Sequence, residues 1–178
     1  MKDLSLNNTT EKPRAENCGI RLAEAEDLPA LRRIYAAARE FMAKHGNAAQ
    51  WGSNFPPDEL LLSHISRREL YVFEEISIGN LHAAFALVRG EDPAYQKIDG
   101  SWLSSLPYLT IHRVASDGTA RGVFSAIVKF AEKICPHLRA DTHEKNAAMR
   151  AALIKNGFSK RGEILLLNGS PRLAYEKL

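Results

Sequence analysis

Residues 108–143 constrain the fold more than any other stretch. The run YLTIHRVAS (108–116) is dominated by apolar and β-branched residues and reads as a strand. The turn that follows, DGTARG, carries Gly118 and Gly122. A helical pattern then runs over residues 122–135 until Pro136 stops it. HLRADTH (137–143) reads as a second strand. Strand, helix and strand in that order form a crossover, and a crossover needs a parallel neighbour for its first strand.

The flanking segments add antiparallel pairs. GIRLAEA (19–25) alternates weakly and reads as the first strand. Leu28, Leu31, Ile34, Tyr35, Ala38 and Met42 recur at helical spacing behind Asp27 and Pro29, up to Gly46. NAAQWGSNFPP is a loop, and Pro57 opens a second helix with Leu61, Ile65 and Arg68 on related faces. ELYVFEEIS and LHAAFALVRG form a hairpin about Gly79 and Asn80. Residues 91–107 make a long loop holding a short helical turn, and loops of that length usually serve a function. EKNAAMRAALIKNG is a helix ended by Gly157, and FSKRGEILLL with PRLAYEKL closes the chain as a hairpin. The expected class is α/β (an α+β mixed sheet), in the order β-α-α-β-β-β-α-β-α-β-β, with a single domain over residues 19–178.

Composition narrows the function. A chain of 178 residues, 45% hydrophobic and 25% charged, suits one soluble globular domain with a sizeable core. The 24 basic and 21 acidic residues leave a net charge of +3, too mild to suggest a nucleic-acid partner. No apolar run is long enough to span a bilayer, so no membrane partner is expected. Residues 1–18 are too polar for a signal peptide and read as a flexible tail of a cytoplasmic protein. Cys18 and Cys135 lie far apart, without CxxC spacing or clustered histidines, so neither a disulfide framework nor a metal site is expected.

The glycine-bearing turn has two physical readings. The first N–H groups of the following helix lack intrahelical partners and carry partial positive charge, which suits a pyrophosphate. Gly118 and Gly122 let the backbone turn with positive φ, Thr119 and Ser125 offer hydroxyls, and Arg121 adds charge. A plain capped turn fits equally well. Walker A and dinucleotide fingerprints do not fit, since neither GKS/GKT nor GxGxxG is present.

Three stretches, in this order of elements, resemble the GNAT acetyltransferase superfamily. IHRVASDGTARGVFSAIVKFAEK is similar to its acyl-CoA motif, a strand followed by Q/R-x-x-G-x-G/A and a helix. LRADTHEKNAAMRAALIKNGF is similar to the next strand and helix, with their asparagine and terminal Gly-Phe. GEILLLNGSPRLAYEKL is similar to the closing hairpin of one bacterial branch, as is PAYQKIDGSWL ahead of the motif strand. The resemblance covers residues 19–178 and implies a GNAT-like fold with a central splayed parallel strand pair.

The resemblance also implies roles. Acetyl-CoA would be the cosubstrate, with no metal, and an amine the acceptor. Gly118, Thr119, Ala120, Arg121, Gly122, Val123, Phe124 and Ser125 would bind the cofactor, with the pyrophosphate on the backbone N–H groups between Arg121 and Ser125. Thr119 stands where the family has Gln or Arg, and Phe124 where it has Gly or Ala, so the Phe124 ring should turn toward the core. The pantetheine arm would pair with Val114, Ala115 and Ser116 and meet the amide of Asn146. The Val114 N–H is the natural oxyanion donor, and His112 the base to test first, because histidine titrates near neutrality. The family's usual acid, a tyrosine before Gly-Phe, aligns with Ile154. That leaves Tyr108 or Tyr175 as acid, or a thiolate that departs unaided. Gln50, Trp51 and Phe55 in the first loop and Trp102 in the second would line the acceptor pocket, unless the aromatics only seal the core. Amine N-acetylation by direct attack in a ternary complex is the expected function. An acyl-CoA-binding module with little or no turnover is the alternative, and paired edge strands would permit a homodimer.

Overall fold

The structure, a computed structural model, describes residues 12–90 and 92–178. In chain order its elements are β1 (Cys18–Leu22), α1 (Leu28–Lys44), α2 (Asp58–Ser66), β2 (Leu70–Glu75), β3 (Leu81–Arg89), β4 (Ile98–Gly100), β5 (Leu109–Ser116), α3 (Val123–Ile134), β6 (Leu138–Thr142), α4 (Ala147–Lys155), β7 (Ser159–Leu165) and β8 (Pro171–Lys177). The expected order holds, with one correction. The loop over residues 91–107 contains β4 as well as a 3-10 turn at Pro93–Tyr95. β4 escapes a reading by propensity because it has three residues and depends on pairing with β7, where Gly100 faces Gly162.

The strands form one mixed sheet in the order β1-β2-β3-β5-β6-β8-β7-β4. β5 and β6 run parallel, as the crossover through α3 requires. Two apolar clusters cover the two faces. On one, Phe73, Phe85, Leu109 and Ile111 pack with Ile127 and Val128 of α3 and Leu153 of α4. On the other, Leu31, Ile34 and Tyr35 of α1 and Leu61 of α2 pack on Leu70, Val72, Ala84, Ala86 and Ala115. The helical spacing of Leu31, Ile34, Tyr35, Ala38 and Met42 is the buried stripe of α1. Each fully buried leucine or isoleucine side chain contributes about 2 kcal/mol.

β5 changes face midway. Leu109 and Ile111 join the α3 cluster, and strict alternation would put Ala115 there too. Ala115 instead lies in the α1 cluster. The register explains this. Ala84 pairs with Ala115 and Ala86 with His112, so β5 has one extra residue between these pairs. The bulge holds Arg113 at φ 55, and the buried Tyr35 donates its hydroxyl to the Arg113 carbonyl at 2.9 Å.

Of the tail expected over residues 1–18, residues 1–11 lie outside the described part. Residues 12–18 lie against the glycine turn: Arg121 N–H donates to the Pro13 carbonyl at 3.1 Å, and Lys12 Nζ to the Gly118 carbonyl at 2.7 Å. No helix among the described residues is long and apolar enough to cross a membrane.

Candidate active site

β5 and β6 stay paired only from Leu109–Leu138 to Ile111–Ala140. Beyond that they part, because β5 bulges toward β3 while β6 follows β8 as far as Thr142–Leu173. A cavity of about 750 Å³ opens in the gap. Val114, Ala115, Ser116 and Gly118 form one wall, and Thr142, Asn146, Met149 and Ala152 the opposite one. The volume suits an organic ligand.

The turn beside the cavity is firmly clipped. Asp117 Oδ1 accepts from the Thr119 N–H at 3.0 Å and from the Thr119 hydroxyl. Arg33 of α1 reaches Asp117 Oδ2 at 2.7 Å, and His82 Nδ1 of β3 lies 2.7 Å from Thr119 Oγ1. Burial alone would raise the Asp117 carboxyl, but the Thr119 hydroxyl and N–H and Arg33 outweigh it and hold it below the usual range. Ser116 Oγ accepts from Gly118 N–H at 3.1 Å. Three expected anion donors are therefore already committed, at Gly118, Thr119 and Arg121, and so is the Thr119 hydroxyl. Among the described residues, nothing accepts from the N–H groups of Gly122, Val123, Phe124 or Ser125, the start of α3. Gly122 caps that helix at φ 75, which suits glycine.

The Phe124 ring does both things open to it. It packs against the α3-side apolar cluster and also forms part of the cavity wall. Asn146 caps α4, its Oδ1 accepting from Met149 N–H at 3.1 Å, and its Nδ2 donates to Gln50 Oε1 at 3.1 Å. Gln50, Trp51 and Phe55 line the cavity beside Phe41 and Met42 of α1. Trp51 also packs on Tyr35, with ring centroids 5.7 Å apart.

His112 lies in the cavity wall between two carboxylates. Its Nε2 is 3.1 Å from Asp92 Oδ2, and its Nδ1 is 3.7 Å from Asp141 Oδ1. The His112 hydrogen bond holds the Asp92 carboxyl below its usual range, against the effect of burial. Asp141 Oδ1 also accepts from the Tyr95 hydroxyl at 2.8 Å, and Arg172 Nε lies 3.9 Å from Asp141 Oδ2. Burial and the Asp141 carboxylate push the Tyr95 hydroxyl well above its ordinary value. Asp92, Asp141, Arg113 and Arg172 all line the cavity, and none of them stands out in the sequence. An Asp two residues after a strand or a Pro-Arg in a hairpin is ordinary surface chemistry until the sheet closes.

Several expected residues lie elsewhere. Tyr108 is outside the cavity wall; Arg139 sits 3.9 Å from its ring centroid. Trp102 is also outside, with Arg139 at 4.0 Å and its indole N–H donating to the Tyr95 carbonyl at 3.0 Å. Both aromatics seal the small cluster around Tyr95 and Ile164. Tyr175 is buried in the α3-side core. Ile154 is 63% exposed, and the α4 face toward the cavity carries Ala148, Met149 and Ala152. Ile154 itself is not among the residues that line the cavity.

No family model matches the chain, and no curated protein sequence does. Solved structures do. A GNAT-family acetyltransferase from Streptococcus agalactiae shares 30% identity with it, covering 90% of this chain and 95% of that one, with a TM-score of 0.81. A GNAT-family acetyltransferase from Listeria monocytogenes is 19% identical, covering 90% and 94%, with a TM-score of 0.66. An acetyltransferase from Salmonella typhimurium, solved with acetyl-CoA as its cofactor, is 16% identical, covering 91% and 93%, with a TM-score of 0.56. The chain belongs to the GNAT family of acetyltransferases.

Proposed function

We propose that the protein transfers the acetyl group of acetyl-CoA to a primary amine by direct attack in a ternary complex. The observation that carries this reading is the gap between β5 and β6, which opens beside N–H groups at the start of α3 that donate to none of the described residues. The pyrophosphate would rest on the N–H groups of Gly122, Val123, Phe124 and Ser125. The pantetheine arm would pass Val114, Ala115 and Ser116 and face Asn146. The Val114 N–H, at the bulge, would meet the oxyanion of the tetrahedral intermediate.

His112 would take the amine proton. With Asp92 accepting from Nε2–H, the lone pair is left on Nδ1. Asp92 is then a positioning residue that fixes the ring. Neither Tyr108 nor Tyr175 lines the cavity, so no acid is assigned to them. A thiol of ordinary acidity can leave as the thiolate near neutral pH. Gln50, Trp51 and Phe55 would border the acceptor.

The test is acetyl-CoA with a panel of primary amines and peptides, followed by release of the CoA thiol. Thiol release with at least one amine class is expected. Tight acetyl-CoA binding without release across the panel would overturn catalysis and leave a binding module.

A further inference from the structure

The cavity holds one guanidinium that no carboxylate among the described residues pairs directly. Arg113 lines it, and its Nε is buried without a hydrogen-bond partner. Among the described residues, no carboxylate oxygen comes within ion-pair distance of its guanidinium. The cavity's acids are in the opposite condition. Asp92 accepts from His112 and, at 2.9 Å, from Ala94 N–H. Asp141 accepts from Tyr95 and faces Arg172. Asp92 and Asp141 act on the Arg113 charge from a distance, but neither pairs with it directly, so a bound anion would be the first direct partner of its Nε. Burial also pushes the Arg113 guanidinium below its ordinary value, and a bound anion would reverse that effect.

The backbone supports a dedicated role. Arg113 sits at φ 55, a conformation uncommon for a long side chain. Such a conformation persists where the surroundings impose it, here through the Tyr35 hydrogen bond and the bulge. The bulge also sets three consecutive residues at one end of the gap: His112, Arg113 and Val114. An acceptor whose amine is at His112 and whose anionic group is at Arg113 must carry the two close together.

We propose that Arg113 anchors a carboxylate on the acceptor, and that the acceptor is a small amine bearing that carboxylate, as a free amino acid does. This rests on the acetyltransferase reading for the identity of the amine as acceptor. The planar fork of a guanidinium matches a carboxylate through paired hydrogen bonds, which a carboxamide or a bare amine cannot reproduce.

The experiment pairs each protein-forming amino acid, with β-alanine and 4-aminobutyrate, against its carboxamide and its decarboxylated amine. Binding to the CoA-loaded protein is measured by calorimetry, and thiol release is followed with acetyl-CoA. We expect at least one acid to bind with a Kd about tenfold or more below that of its amide and to react with a kcat/KM about tenfold or more above it. R113N should abolish that ratio while keeping or raising Tm, because asparagine accepts this backbone conformation better than arginine. R113K should keep part of the ratio, and R113Q serves should R113N fail to fold. Amides that bind as well as acids, a ratio that survives in R113N, or a panel in which no acid binds would each overturn the anchor. Acids that bind selectively without thiol release would leave the anchor standing and sink the acetyltransferase reading. Release from amides and acids alike would do the reverse.

Discussion

Asn146 donates from Nδ2 to Gln50 Oε1 at 3.1 Å, tying the start of α4 to the loop after α1. The same asparagine caps α4 through Oδ1, and an amide nitrogen has a second hydrogen left to give. Cap and donor can be separated. N146A loses both and should cost about 1 kcal/mol of stability through the lost cap. N146D keeps the acceptor for Met149 N–H and should stay within about 0.5 kcal/mol of the parent. Both should weaken acetyl-CoA binding several-fold, because both lose the donor facing the gap. Denaturant titration and calorimetry on the two variants decide it. A stable N146D with unchanged acetyl-CoA affinity would remove the Asn146 amide from the cradle.

Gly122 allows an equally clean contrast. Its φ of 75 disfavours any side chain, but the nearest atom to an added Cβ is the Ala15 Cβ at 3.6 Å, so there is room. Asparagine and aspartate are nearly isosteric, and both tolerate this conformation better than most residues. The difference between G122N and G122D is therefore a carboxylate placed at the start of α3. We expect G122D to bind acetyl-CoA about tenfold more weakly than G122N, a difference of about 1.4 kcal/mol. Equal affinities by calorimetry would move the pyrophosphate away from this helix end.

Much of the fold is legible because its signals are local. The helical spacing from Leu31 to Met42 and the punctuation by Pro136 and Gly157 need no tertiary information. What stays hidden depends on distant contacts. Nothing in IHRVAS marks Arg113 as left-handed, since that residue type ordinarily avoids the conformation; Tyr35 and the β3 register impose it. Asp92 becomes a partner of His112 only when the loop before β4 folds back over β5, and Asp141 only when β6 pairs beside β5. Aromatics are ambiguous for a related reason. Trp51 faces the cavity and Trp102 stacks on Arg139, although both sit in polar loops with neighbouring glycines.

Glu176 should govern stability in acid. It is fully enclosed on β8, accepting from His137 Nε2 at 2.7 Å, Arg139 Nε at 3.0 Å and the Leu103 N–H. Burial would raise its carboxyl, but these three donors prevail and hold it below the ordinary range. A carboxyl depressed in the folded state contributes stability above its unfolded value, near 4.3, and loses it as pH falls through the lower folded value. Asp92 and Asp117 act in the same direction. At neutral pH, E176Q strands the Arg139 charge and should cost about 3 kcal/mol. Measured Tm values should then show a wide gap between parent and E176Q near pH 7. The gap should narrow as pH falls below the unfolded value and through the lower folded one, where the parent carboxylate also protonates. A gap independent of pH would mean that packing, not charge, is what Glu176 supplies.

The last relationship tests the chemistry. His112 Nε2 and Asp92 Oδ2 are 3.1 Å apart, and the two residues come from a strand and a loop separated by 20 positions. As the base, His112 is needed at the transition state more than for binding. H112Q should therefore lower kcat by about 10²-fold or more and leave KM within a few-fold. Asp92 acts only through the ring. D92N should lower kcat less than H112Q, and D92E should recover part of the loss, since it can still accept from Nε2–H. The double variant H112Q/D92N should be no slower than H112Q alone, because a positioning residue has nothing left to position. Additive losses would show that Asp92 touches the acceptor itself, and an unchanged kcat in H112Q would hand the proton to water.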